Sequence, residues 1–217
     1  LLYTGSLRWG SGCTFIDYDR DGHLDLFVST YVDLSLRNIP KPGENPYCNF
    51  KGVPVNCGPR GLPLGHNYIY RNQGDGTFKE VTETIGILKA PSTYAMTAVA
   101  ADFDNDSWTD IYVASDSTPS LLFHNQHNGT FAEEGVERGV GLSNDGMEQA
   151  GMGVAVGDYN LDGNLDIFKT HFSDDTSILY RNDGGGNFTD VTIESRIAVE
   201  TRYTSWGTGF ADFDNDG

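Results

Sequence analysis

Apolar residues in this chain fall in short runs with a period of two, broken by Gly, Asn and Asp. Tyr68–Asn72, Leu121–Asn125 and Ile178–Asn182 are three versions of one strand. Each is followed by a Gly-containing turn and then by Gly76–Glu80, Gly129–Glu133 or Gly186–Asp190, a pattern that predicts a β-hairpin. Upstream of each hairpin lies a β-rich run, Leu26–Ser29, Ile111–Ala114 or Ile167–Thr170. Small and apolar stretches such as Thr97–Ala101 and Gly153–Gly157 precede those runs. One unit is therefore four short antiparallel strands in about 55 residues, somewhat longer than the ~40–45 of a WD-type blade, and the whole predicts an all-β propeller with almost no long helix.

Between the first and second strands of each unit sits an acidic loop. Asp17, Asp19, Asp21 and Asp25 recur as Asp102, Asp104, Asp106 and Asp110, then as Asp158, Asn160, Asp162 and Asp166. Asp212, Asp214 and Asp216 begin a fourth copy at the end of the chain. The first interval, 85 residues against 56 and 54, contains an insertion. Six of the eight prolines lie between Ile39 and Leu64, which places a Pro/Cys-rich loop at residues 34–66.

Oxygen ligands at positions 1, 3 and 5, a backbone carbonyl at 7 and a carboxylate at 9 can wrap one hard cation. Calcium accepts 6–8 such oxygens in flexible geometry, whereas magnesium demands a tight octahedron. Carbonyls of His23, Trp108 and Asn164 are expected at position 7, one calcium ion per complete loop, with the fourth loop truncated. Two carboxylates about 4 Å apart repel by roughly 4 kcal/mol at an effective dielectric near 20, so a loop of three or four needs a counter-ion or protons to close. Ser107 replaces the Gly at position 6 of the second loop, which predicts a strained or differently shaped bend. Asn160 in the third loop removes a carboxylate and predicts a weaker site.

Composition narrows the function. Thirty-one acids against 14 bases give a net charge of -17, which argues against nucleic acid, and four calcium ions would leave the chain at -9. No apolar run approaches the ~18 residues of a bilayer span. Cys48 and Cys57 sit in a loop with little core of its own, so a disulfide there is expected, together with an oxidising compartment. Cys13 is expected as a buried, unpaired core residue. His124 and His127 have an H-x-x-H spacing at a strand end and a turn and are expected as satisfied or exposed turn histidines rather than a zinc site. His171 is expected on a loop. Sequons stand at Asn105, Asn128 and Asn187.

The acidic loops, the Tyr-Arg-Asn strand and the Gly-Thr-Phe strand together resemble the FG-GAP/VCBS repeats of integrin-α-like propellers. Cys57–Pro63 ahead of Tyr68–Asn72 looks more specifically like the cartilage acidic protein (ASPIC/UnbV-containing) group. This resemblance implies a seven-bladed, calcium-loaded, exported propeller, of which residues 1–217 are the N-terminal three to four blades. The expected role is an extracellular binding, adhesion or assembly module whose partner is a protein, a glycan or further copies of itself. A sugar-active lyase- or hydrolase-type propeller enzyme is the rival reading, and a subunit of an extracellular fibre or coat a third. Recognition is expected on the face opposite the acidic loops, from the insertion, the 86–93 linker and the 134–149 stretch.

Overall fold

The computed structural model describes residues 7–35, 39–198 and 201–214. Each unit forms one four-stranded antiparallel sheet in meander order. The first is β1 (Leu7–Ile16), β2 (Asp25–Leu34), β5 (Tyr68–Asn72) and β6 (Phe78–Glu80). β7 (Ala95–Ala101), β8 (Asp110–Ser115), β9 (Leu121–Asn125) and β10 (Phe131–Glu133) form the second. β11 (Gly151–Gly157), β12 (Asp166–His171), β13 (Ile178–Asn182) and β14 (Phe188–Asp190) form the third. Among the described residues there is no α-helix, only 3-10 turns at Pro46–Cys48 and Ile87–Lys89. These are propeller blades. Their first strands lie side by side, β1 against β7 and β7 against β11.

Blades stack through two hydrophobic layers, and the alternation along each strand explains both. In β8 and β9, Ile111, Val113, Leu121 and Phe123 face the first blade, while Tyr112, Ala114 and Leu122 face the third. A strand buried on both faces reads as a continuous apolar run, as Ile111–Ala114 does. Aromatic residues at position 2 of the first two acidic loops join the layers. Tyr18 meets Phe131 of the second blade with ring centroids 6.1 Å apart, and Phe103 meets Phe188 of the third at 5.8 Å. Phe131 and Phe188, each the Phe of a Gly-x-Phe strand, are thus the receptors for the preceding blade's loop.

Two further devices fasten blade to blade. Gly86 and Gly139 occupy left-handed backbone (φ 93° and 85°), and a Cβ there would stand 2.8 and 2.3 Å from the carbonyl oxygens of Phe131 and Phe188. The carbonyl of the residue before each glycine accepts in both cases, Ile85 O from Phe131 N–H and Arg138 O from Phe188 N–H. The second device caps a carbonyl of the next blade's first strand. Ser29 Oγ reaches Met96 O (3.4 Å), Thr97 Oγ1 reaches Met152 O (2.7 Å) and Thr170 Oγ1 reaches Trp206 O (3.0 Å). Where the second strand supplies the hydroxyl, its neighbour on the first strand is Gly12 or Gly153. Where the first strand supplies it, the second-strand neighbour is Ala114.

Cys48 and Cys57 form the expected disulfide. Their insertion also contains a small hairpin, β3 (Asn49–Phe50) with β4 (Val53–Pro54). It lies over the second blade: Arg60 pairs with Glu148 (3.1 Å), and Tyr94 Oη donates to Leu62 O (2.8 Å). Residues 36–38 of the insertion lie outside the described residues.

Three expectations change. Cys13 is exposed, because it sits on the face of β1 turned away from the second blade, in a row with Phe15. His171 is the last residue of β12 and is 1% exposed, not a loop residue. The first turn of the 86–93 linker is a blade-to-blade latch rather than a free recognition loop.

Candidate metal centre

All three complete acidic loops adopt one backbone. Residues Arg20, Asn105 and Leu161 at position 4 are left-handed (φ 59°, 61° and 58°), as are Gly22, Ser107 and Gly163 at position 6 (85°, 73° and 87°). Ser107 therefore takes the glycine shape instead of a different one. The turn is held by position 1. Asp17 accepts N–H bonds from Asp21 (3.1 Å) and Gly22 (3.0 Å), Asp102 from Asp106 and Ser107, and Asp158 from Asp162 and Gly163. Position 5 then accepts the N–H of position 7: Asp21 from His23, Asp106 from Trp108 and Asp162 from Asn164. In the first two loops these bonds bend the chain until side chains at positions 3 and 5 stand close, joined in the first loop by position 1. Ligand oxygens of Asp17, Asp19 and Asp21 lie within 4.8 Å of one another, as do donor atoms of Asp104, Asp106 and His124.

In the first two loops, outer oxygens of positions 3 and 5 are bonded from the blade's third strand and its turn. Arg71 Nε donates to Asp19 (2.7 Å) and its Nη2 to Asp21 (2.9 Å). In the second loop His124 Nε2 meets Asp104 at 2.9 Å and His127 pairs with Asp106. Both histidines are thus satisfied, as expected, by the acidic loop itself. In the third loop Asn160 Nδ2 donates to Asp162 (2.8 Å), while Arg181 turns to Asp183 (2.7 Å).

One atom in each of the first two loops has no partner. Asp19 Oδ1 and Asp104 Oδ1 are buried and unbonded, and they occupy the same place in the repeat. A buried, unsatisfied carboxylate oxygen costs about 1–3 kcal/mol or more, so the geometry fits a cation sitting inside the loop. The first loop offers oxygen donors alone, the set that a hard cation such as calcium prefers.

Position 9 is the most deeply placed carboxylate. Asp25, Asp110 and Asp166 are buried and accept backbone N–H bonds from Asn72, Asn125 and Asn182, each 2.8 Å long. Burial pushes the carboxyls of Asp25 and Asp110 up to about 6 and raises Asp166, against the pull of those N–H bonds. In the second loop burial would raise Asp106, but the Trp108 N–H and His127 together hold it below the ordinary value.

Sequence reading missed the asparagine that ends each third strand. Asn125 Nδ2 donates to Tyr18 O (2.9 Å), inside the preceding blade's acidic loop, and Asn182 Nδ2 to Phe103 O (2.7 Å). Its recurrence at Asn72, Asn125 and Asn182 was the available signal. Loops also touch directly. Arg20 of the first lies over the Trp108 ring of the second (5.1 Å), and Asn105 of the second donates to Asn164 of the third (3.0 Å). Asp212 and Asp214 run beside the third loop, whereas Asp216 lies outside the described residues.

Comparison with known proteins agrees with this geometry. The model of the "FG-GAP-like repeat" family matches residues 60–113 and 102–169. Cartilage acidic protein 1 of Mus musculus is 32% identical over 114 residues, which are 52% of this chain and 17% of that protein. The Homo sapiens protein of the same name is 32% identical over 117 residues (52% and 16%), and that of Xenopus tropicalis 30% over 168 (69% and 25%). The chain thus spans a quarter or less of the length of the curated relatives it matches.

Proposed function

Since the chain belongs to the FG-GAP-like repeat family, we propose that it is part of an extracellular propeller whose acidic loops each hold one calcium ion as a structural staple. The ligands would be Asp17, Asp19, Asp21 and Asp25 in the first loop. Asp102, Asp104, Asp106 and Asp110 serve the second, and Asp158, Asn160, Asp162 and Asp166 the third, with the position-7 carbonyls of His23, Trp108 and Asn164. The observation that carries this reading is the matched pair of unbonded oxygens, Asp19 Oδ1 and Asp104 Oδ1. A bound divalent ion supplies the positive charge that the buried position-9 carboxylates lack. Arg71, His124 and His127 stay outside, on the outer oxygens, and fix the rotamers of the ligating side chains. Export fits the Cys48–Cys57 disulfide.

Uncovered sheet supports further blades. Phe15 is 58% exposed and Phe78 44% on the face of the first blade turned away from the second. Residues 205–210 lie along β11 as β11 lies along β7. Adhesion or binding to a protein, a glycan or another copy would use the face opposite the loops, which calcium keeps rigid. Differential scanning calorimetry tests the staple. Each site should contribute about 2.7 kcal/mol at free calcium 100 times its dissociation constant. Chelator should lower the Tm sharply, and Asp19→Asn should remove one ion from the bound stoichiometry. A melting curve identical in calcium and in chelator would end this reading.

A further inference from the structure

Opposite the acidic loops, at the ends of the first strands near the propeller axis, lies a cavity of 400 Å3. Its wall is built largely from two positions of the repeat at which the blades differ. Six residues before each acidic loop the chain carries Ser11, Met96, Met152 and Trp206, and six residues after each closing Asp it carries Tyr31, Asp116 and Phe172. Trp9 completes the rim. These side chains bring together four aromatic rings, two thioethers and one carboxylate.

That carboxylate is the polar centre. Asp116 is 6% exposed and accepts hydrogen bonds from Tyr31 Oη (2.8 Å) and Ser117 Oγ (2.9 Å). Both donors are neutral hydroxyls. Arg60 is the nearest cation, but its guanidinium is bonded to Glu148 (3.1 Å) and to Ser117 O (3.5 Å). The cavity therefore presents one anionic group among π faces, and both attract the same kind of guest. A neutral sugar would find few free donors or acceptors here, since Ser11 Oγ is already committed to Ala95 O (2.6 Å). An anion would meet Asp116. Trp9 and Trp206 keep exposed rings, 58% and 59% accessible, and the bonds from Ser205 N–H to His171 O (3.0 Å) and from Ser173 N–H to Thr204 Oγ1 (3.2 Å) hold the Trp206 segment against the end of β12.

We propose that this cavity binds an organic ammonium group, methylated or quaternary, caged by Trp9, Tyr31, Phe172 and Trp206 with Asp116 as counter-charge. This deepens the binding role proposed above and rests on it for the rigid upper face. The ammonium group could be free, as in choline, or borne by a protein, as in trimethyl-lysine. The test titrates choline, a trimethyl-lysine peptide and the uncharged isostere 3,3-dimethylbutan-1-ol into calcium-loaded protein. Tryptophan fluorescence is the readout, in a Trp108→Phe background, because Trp108 stacks on His127 on the opposite face. We expect a saturable change with an ammonium ligand and binding of the isostere weaker by about tenfold at least. Tighter binding of the peptide than of choline identifies a protein-borne group, and the reverse a free one. Trp206→Ala and Phe172→Leu should each weaken binding about tenfold, as should Asp116→Asn, with the calcium-dependent Tm retained. Failure of all ammonium probes, equal binding of the isostere, an equal response to methyl glycosides, or variants that bind like the parent would overturn the proposal. The parallel melting curves keep it separate from the calcium reading, which can fail or stand independently.

Discussion

Ser107 and Lys169 each sit where their own chemistry is a poor match. Ser107 adopts the left-handed backbone that Gly22 and Gly163 adopt in the other loops. Ser107→Gly should therefore stabilise the protein by about 1 kcal/mol, read as a higher denaturant midpoint. An unchanged or lower midpoint would show that the hydroxyl contributes more than the strain costs. Lys169 is 1% exposed, with Nζ 3.2 Å from Ser120 Oγ and 3.5 Å from Tyr180 Oη, and burial lowers its pKa to about 8. Between pH 8 and 10.5 the unfolded chain binds the proton and the folded one does not, so this residue's contribution to stability rises with pH across that window. Lys169→Met should remove that slope, on the order of 3 kcal/mol, and parallel pH–stability curves for the two proteins would refute the assignment. At this scale the sequence was only partly legible. Positions that bend the loop were visible as Asp and Gly spacings, but Cys13 and His171 were misplaced because exposure depends on which side of a strand meets another blade.

Strands and turns were the most legible level, since a period of two and a Gly-bounded hairpin are local facts. What joins the strands of different blades was not, because the partners are main-chain atoms far apart in sequence. Asn182 makes this quantitative. Its Nδ2 bonds Phe103 O (2.7 Å) and Leu165 O (3.1 Å), and it is fully buried. Asn182→Ala should cost about 2–3 kcal/mol. Asn72 is half-exposed and its Nδ2 bonds Leu24 O of its own blade, so Asn72→Ala should cost less in urea unfolding of this chain. Equal losses would deny the asparagine its cross-blade role. The hydroxyl cap offers a second element-level test. Thr97→Gly should cost about 1 kcal/mol, and adding Ala114→Thr should restore much of it, because Gly153 with Thr170 already forms that arrangement. A double variant no better than the single one would refute the exchange.

For the molecule as a whole, the acidic loops stand at one end of the blades and the aromatic-lined cavity at the other, with sheet left open on the first blade. Cys13 reports on that open sheet. It should react readily with a thiol reagent in the 217-residue chain and be protected in a longer form whose added blade covers Phe15. Equal reactivity in both would place the added residues elsewhere. The hydroxyl caps carry a consequence for how such a protein can arise. Both members of each pair, Gly12 with Ser29, Thr97 with Ala114, and Gly153 with Thr170, belong to one blade, while the group they cap is a backbone carbonyl that any following blade provides. For this fastening a blade is thus a self-contained cassette: copying it, deleting it or changing its order leaves the hydroxyl-to-carbonyl cap at each junction complete.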